Sequence, residues 1–257
     1  MVFYPMKNSE NYQFKNYLIH QFDEVESTND LAFSLAENNQ IFANEIIVAS
    51  KQNKGRGRLN RNWESPKGNL YFSLVLQPKI AIEKTSQISL VAICALQIAV
   101  AKIFQQQNIV AKIQNKWPND LLIDQKKVAG ILLESKISNK NCDFAILGIG
   151  VNINSNPTQT LFPSTNIKNF SCEISASKML EFFLEEFENL YENWLNFGFK
   201  NIRNLWHKNA YNLNSKININ LGNSKIEGLF QEIDEEGNIV IKNHNNETKK
   251  ISFGDVS

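Results

Sequence analysis

Four segments of this chain carry residue types that could do chemistry together. The first, Lys51–Pro66, reads KQNKGRGRLNRNWESP: Gly55 and Gly57 alternate with Arg56 and Arg58, and Arg61 and Trp63 follow. Glycine lets a backbone approach a ligand closely, and a guanidinium makes paired, charge-assisted hydrogen bonds to phosphate or carboxylate. The loop therefore suits anion recognition. A solvated basic loop is the bland alternative, and strand patterns on both sides disfavour a disordered RNA-binding tail. The second segment is Lys116-Trp117-Pro118-Asn119-Asp120. A lysine at a strand end beside a rigid proline turn has the fixed position that a catalytic, anion-binding lysine needs, although Pro-Asn-Asp is also ordinary turn chemistry. The third and fourth are neighbouring strand patterns holding small residues, Lys127–Glu134 (KVAGILLE) and Gly148–Asn154 (GIGVNIN). Glycines inside neighbouring strands suggest a sheet face kept open for a ligand, or close packing of a helix on the sheet. Gly148-Ile149-Gly150 is no dinucleotide fingerprint, because the third glycine and the following helix are missing.

The elements that must position these residues follow from periodicity. Ser27 with Asp30 three residues on is a capping-box-like start for a short helix through Ala36. Glu45–Ser50 and Leu70–Leu76 read as strands flanking the basic loop. Ser86–Gln107 has the length and composition of a buried helix, with Ser86 or Ser89 as its cap. Ala111–Lys116, Leu121–Asp124, Lys127–Ser135 and Phe144–Asn152 read as strands, with Asp124–Lys126 as a hairpin turn. Ser177–Leu195 is an amphipathic helix with Gly198 as its C-terminal cap. After about Asn212, Lys216–Leu221, Lys225–Phe230, Ile239–Lys242 and Lys249–Phe253 alternate at period two, with turn residues at Gly222-Asn223 and Glu236–Asn238. The expected organisation is an α+β domain over residues 1–211 and a small β-barrel over 212–257. The asparagine-rich stretches Asn166–Asn169 and Asn243–Asn246 read as surface loops.

Composition removes several classes. A formal net charge of +1 argues against a protein that coats nucleic acid. Cys94, Cys142 and Cys172 are distant and form no CxxC pair, so a zinc site or disulfide framework is not expected, and a reducing compartment is. Cys94 lies in a helical apolar run and reads as core. The first ten residues lack the basic start and apolar run of a signal peptide. The apolar stretch Leu90–Ala101 is too short to span a bilayer. The expected location is the cytoplasm.

Taken in order, STN at Ser27–Asn29, QxxGRGR from Gln52, KWPND from Lys116, KxAGILLE from Lys127 and GIGxN from Gly148 resemble the biotin–protein ligase family, from about Phe22 to Asn154 and more weakly in the C-terminal segment. The resemblance implies a mixed central sheet with helices, related to class II aminoacyl-tRNA synthetase catalytic domains, followed by an SH3-like barrel. It implies ATP and biotin as substrates with Mg2+, and transfer of biotin to a lysine of the biotin carboxyl carrier domain of acetyl-CoA carboxylase or a related carboxylase. Position by position, it places Ser27, Thr28, Asn29 and Gln52 at the biotin pocket. It makes Gly55, Arg56, Gly57 and Arg58 the loop that folds over biotin and its adenylate, and Gly130 part of the pocket. Arg58, Arg61 and Trp63 match positions near the ATP phosphates. Lys116 matches a lysine that contacts the biotin carboxylate and the α-phosphate, which makes Lys116 and Arg58 the expected catalytic pair. Asn152 matches a position near the nucleotide and its magnesium. Many members continue the loop as GRGRRGR; here Leu59-Asn60 replaces an arginine and a glycine, which lowers its charge and flexibility.

No Ser-His-Asp or Cys-His constellation stands out, in keeping with a reaction that needs no protein nucleophile. The rival within the fold is a lipoate ligase or lipoyl/octanoyl transferase, whose RRxSGGG-type run is absent. The rival of another class is a nucleic-acid-binding module, whose signature would be strongly salt-dependent binding. Only 26 residues precede Ser27, without a pair of helical patterns, so a ligase lacking a DNA-binding domain is expected. No DNA or membrane partner is expected, and a homodimer is among the expected assemblies.

Overall fold

The computed structural model describes residues 10–160, 162–222 and 224–256. The signal-peptide reading of the N-terminus, Asn223 of one expected turn and Ser257 lie outside the described residues, apart from Glu10 and Gly222.

An eight-stranded sheet forms the frame. Its strands are β1 (Glu10–Phe14), β2 (Tyr17–Phe22), β3 (Glu45–Ala49), β4 (Leu70–Leu76), β5 (Ile113–Lys116), β6 (Asp120–Ile123), β7 (Lys126–Ser138) and β8 (Asn141–Val151). They are ordered β1-β2-β3-β4-β8-β7-β6-β5. β2 and β3 pair in parallel, and the other neighbours pair antiparallel. The strands expected around the basic loop and the motifs are present, and the β6–β7 turn places Asp124 and Gln125 at positive φ. The β1–β2 hairpin was not signalled: its turn uses Lys15 at φ 50 rather than an Asn-Gly pair.

Alternation along the strands sends side chains to two faces. Phe72, Leu74, Leu147 and Ile149 join one apolar cluster with α2 (Gln87–Gln106) and α3 (Ala176–Phe197). Ile47, Val75, Phe144 and Ile146 join a second with Ala32, Leu35 and Ala36 of α1 (Thr28–Glu37). The α2 segment with its lead-in turn, Ile82–Gln106, is long and apolar enough to cross a membrane, longer than the run judged from sequence, yet 78% of its most apolar window is buried inside the protein. Cys94 lies in that core.

Caps show where local signals worked. Ser27 Oγ accepts from the amide of Asp30, 3.3 Å away, so α1 starts as expected. Asp30 does not complete the box; its carboxylate faces Arg56. Ser86 occupies the N-cap of α2 but makes no capping bond, because a 3-10 turn over Ile82–Lys84 leads into the helix. α3 is capped by Ser175, ahead of the expected Ser177, and ends at Gly198, φ +77. Asn166 is no surface loop residue: it is buried and caps the turn Ile167–Phe170. Helix α4 (Lys200–Lys208) was not anticipated, since only Ile202 and Trp206 are buried along it.

The remaining strands are β9 (Lys216–Asn220), β10 (Lys225–Ile233), β11 (Ile239–Lys242), β12 (Thr248–Ile251) and β13 (Asp255–Val256). They form a separate sheet, ordered β12-β11-β10-β9-β13. Its inward side chains, including Ile217, Ile219, Phe230 and Ile241, continue the α2–α3 cluster. Trp117 Nε1 donates to the carbonyl of Gly237 at 3.1 Å, and Gln87 Nε2 to that of Glu235 at 2.8 Å.

Candidate active site

Strand register assembles one row of residues across the sheet. Tyr71 of β4 pairs with Gly150 of β8, Gly150 with Gly130 of β7, Gly130 with Asp120 of β6, and Asp120 with Lys116 of β5. Directly paired residues point to the same face. Lys116 therefore shares a face with two glycines that came from separate sequence motifs. The adjacent row holds Ser73, Gly148 and Leu132.

The glycines make room for side chains of the site. A Cβ on Gly148 would sit 1.9 Å from Asn29 Oδ1, and one on Gly150 would sit 2.5 Å from Trp63 Nε1. Trp63 also lies over Gly130, 3.2 Å from the position of its missing Cβ. The face expected to be open for a ligand is thus covered by the indole of Trp63, whose buried Nε1 has no hydrogen-bond partner.

The N-terminus of α1 forms one wall. Gln52 Oε1 accepts from the amide of Thr28 at 2.8 Å and its hydroxyl at 3.1 Å, while Gln52 Nε2 donates to Ser65 Oγ at 2.9 Å. Ser73 Oγ donates to Asn29 Oδ1 at 2.6 Å, and Asn29 Nδ2 to Glu134 Oε2 at 2.9 Å. Ser27, Thr28 and Asn29 are all buried. The basic loop closes on itself through backbone bonds from Trp63 N to Gly55 O and from Gly57 N to Arg61 O, both 2.8 Å. Leu59 and Asn60 sit at its tip with φ of 54° and 55°.

The loop arginines point in different directions. Arg56 pairs with Asp30 and with both oxygens of Glu134, 3.0 Å away. The Asp30 contact holds its guanidinium more firmly protonated, against the opposing effect of burial. Arg58 donates to Gly254 O at 3.1 Å and lies 3.4 Å from Asn119 Oδ1; burial lowers its pKa, with Asp255 and Asp120 opposing. Arg61 pairs with Asp255.

Lys116 ends β5 before the cis Trp117–Pro118 peptide and is 6% exposed. Its Nζ lies 3.9 Å from Asp120 Oδ2 and 4.0 Å from the ring centre of Phe162. Burial lowers the Lys116 pKa, and the Asp120 carboxylate opposes that shift. Asp120 Oδ1 also lies 2.6 Å from Lys127 Nζ, an ion pair approached off the hydrogen-bond direction. Arg58, Arg61, Lys116 and Lys127 thus share only Asp120 and Asp255 as carboxylate partners, and such an excess of fixed cations can bind a polyanion and stabilise charge developing on it.

Asn152 is 2% exposed; its Nδ2 donates to Thr165 O at 3.1 Å, and its Oδ1 is buried without a partner. Among the described residues no group of three His, Cys, Asp or Glu side chains could hold a metal. From sequence, Asp30 reads only as part of a helix cap, and Ser73, Asp120, Lys127, Glu134 and Asp255 have no assigned site role. Asp120, Lys127 and Glu134 stand inside the recognised motifs, and Asp255 stands in the run Phe253–Ser257 that ends the weaker C-terminal resemblance, whereas nothing local marks Ser73. A cavity of about 440 Å³ lies elsewhere, between the end of α3, the start of α4 and Glu235. It holds none of the motif residues, so we do not place the reaction there.

Residues 22–152 match the biotin/lipoate A/B protein ligase family, and residues 213–257 match the biotin protein ligase C-terminal domain. The chain is 34% identical to a bifunctional ligase/repressor BirA of Bacillus spizizenii over 93% of this chain and 73% of that protein. It is 32% identical to a biotin–[acetyl-CoA-carboxylase] ligase of Paracoccus denitrificans over 85% of this chain and 91% of that protein. The structure resembles the biotin protein ligase of Aquifex aeolicus in complex with biotin and ATP, with a TM-score of 0.75 and 29% identity, covering 95% of this chain and 98% of that one.

Proposed function

The chain belongs to the biotin/lipoate A/B protein ligase family, and from that premise we infer that it is an ATP-dependent biotin–protein ligase acting on carboxylase carrier domains. The match of residues 213–257 to the biotin protein ligase C-terminal domain favours biotin over lipoate. The observation that carries the reading in the geometry is the row Lys116–Asp120–Gly130–Gly150, which gathers three separate motifs on one sheet face.

The reaction runs in two steps. A biotin carboxylate oxygen attacks the α-phosphorus of ATP; the bond to the β-phosphate oxygen breaks, and pyrophosphate leaves. The carrier lysine amine then attacks the acyl carbon of biotinyl-AMP, loses a proton, and AMP departs with the anhydride oxygen. Negative charge builds on phosphate oxygens in the first step, so fixed cations should supply most of the catalysis.

We assign Lys116 to the biotin carboxylate and α-phosphate, and Arg58 and Arg61 to the phosphates. Ser27, Thr28, Asn29 and Gln52 line the biotin end, with Gly55–Arg58 folding over the ligand and Trp63 moving off Gly130 and Gly150 to admit it. Arg56 is tied to Asp30 and Glu134, so its part is to anchor the loop. Magnesium, when bound, neutralises phosphate charge. Without a carboxylate cluster among the described residues, the ion would be carried by the nucleotide, and the unpartnered Oδ1 of Asn152 is the protein atom suited to face it. We further propose acetyl-CoA carboxylase, or a related carboxylase, as the source of the carrier domain.

Biotin-dependent exchange of pyrophosphate into ATP tests the first step, and labelling of a purified biotin carboxyl carrier domain tests the second. Exchange triggered by lipoate and not by biotin would overturn the reading.

A further inference from the structure

The cationic cluster takes one of its carboxylates from the small C-terminal sheet. Arg61 Nη2 pairs with Asp255 Oδ2, and Arg58 Nη1 lies 3.6 Å from Asp255 Oδ1 while donating to the carbonyl of Gly254. Asp255 also acts on Lys116, where it opposes the effect of burial. Its position is fixed by strand pairing: Asp255 faces Asn220 and Val256 faces Ile219 of β9. Gly254 has φ +142, and a Cβ there would come 2.7 Å from Ile219 Cγ2, so the approach to Asp255 is built for glycine. Val256 is buried.

We propose that Asp255 is a positioning residue that stands in for ATP phosphate: it holds Arg58 and Arg61 in place and is displaced from them when the nucleotide binds. This rests on the reading of those arginines as phosphate ligands. Arg58, Arg61, Lys116 and Lys127 carry like charges around one site, and a carboxylate among them offsets their repulsion. The guanidinium N–H groups that grip a carboxylate are the ones that would grip phosphate. The two contacts compete, and a carboxylate left beside a triphosphate is repelled. Nucleotide binding therefore exchanges the ion pairs between the loop and β13 for arginine–phosphate pairs, which couples the site to the seating of the small sheet.

The test is the KM for ATP in biotin-dependent pyrophosphate exchange. Removing the competing charge in Asp255→Asn should lower KM for ATP about three- to tenfold, the scale of a partly exposed ion pair, with KM for biotin unchanged. The effect should shrink in an Arg61→Gln background. An unchanged or raised KM for ATP in folded Asp255→Asn overturns the assignment. A second measurement uses the wild-type chain: the α,β-methylene analogue of ATP should raise amide hydrogen exchange over residues 216–220 and 254–256, and biotin alone should not. No nucleotide-dependent rise overturns the assignment even if the variant fails to fold. Absence of biotin-dependent exchange in the wild type would instead overturn the functional reading, and this inference with it.

Discussion

At Lys116, burial and charge oppose each other. The ammonium is almost wholly removed from water, with Asp120 as its near counter-charge. Removing Lys116 leaves no orphaned carboxylate, because Asp120 keeps Lys127 as its nearer partner, 2.6 Å away. Lys116→Ala should therefore keep the fold while slowing adenylate formation by about two to three orders of magnitude, the usual loss for one preorganised electrostatic donor. Circular dichroism and pyrophosphate exchange check both halves; a folded variant exchanging at the wild-type rate removes Lys116 from the mechanism. The pH dependence follows from the same burial. The folded pKa lies below the ordinary lysine value of 10.5, so exchange should fall on an alkaline limb beginning below that value, and Lys116→Arg should remove the limb. For stability the sign is opposite. Between the folded pKa and 10.5 the unfolded chain holds a proton that the folded chain has lost, so rising pH favours folding across that window. Arg58 has a different task. Biotinyl-AMP is a reactive anhydride, and a closed loop keeps stray amines from it. Arg58→Gly should release more of it, seen as biotin on serum albumin incubated with enzyme, biotin and ATP. Equal labelling by wild type and variant would show that Arg58 does not hold the loop.

At the scale of elements, single polar side chains fix where strands end and loops turn. Asn69 precedes β4, is buried, and its Oδ1 accepts the amides of Ile153, Asn154 and Ser155 at 2.9, 2.8 and 3.2 Å. It ties the chain leaving β8 to the start of β4, beside the Gly148–Asn152 motif. Asn69→Ala orphans those donors and should cost about 2–3 kcal/mol, read by urea unfolding; a loss below about 0.5 kcal/mol would mean that water replaces the side chain. Leu59 is the converse case. It holds a left-handed conformation with 67% of its surface exposed, and in that conformation a Cβ is unfavourable by roughly 1–2 kcal/mol. Leu59→Gly should relieve that cost, less the extra freedom it gives the unfolded chain, for a net gain of up to about 1 kcal/mol. A lower unfolding midpoint would show that the leucine packs usefully.

For the whole molecule, the two sheets share one apolar cluster. Trp206 of α4 is fully buried against Phe230 of β10, with ring centres 6.2 Å apart, and His207 Nε2 accepts the amide of Ile233 at 2.9 Å. Arg203 of α4 reaches Ile233 O and Glu232. Removing residues 212–257 would expose these groups and strip Arg58 and Arg61 of Asp255. The intact chain should melt in one calorimetric transition, and the truncated chain should not give a folded, active enzyme. Two resolved transitions would show that the sheets are stable independently.

The sequence by itself determined the class of fold, the strands around the basic loop, the β6–β7 turn, the cap at Ser27 and the motifs that point to biotin ligation. Each of these is written locally, in period, turn residues or a short run of fixed types. It did not reveal the β1–β2 hairpin or α4, whose local signals are weak and whose burial comes from distant neighbours. Only the tertiary structure decided that Lys116, Gly130 and Gly150 lie in one row, because register across antiparallel strands sets that alignment and no local spacing encodes it. It also decided that the loop arginines divide their partners: Arg56 goes to Asp30 and Glu134, and Arg58 and Arg61 go to the segment Gly254–Asp255. That Arg58 and Arg61 meet Asp255 depends on how the small sheet seats against the large one, and that seating is fixed by the shared core.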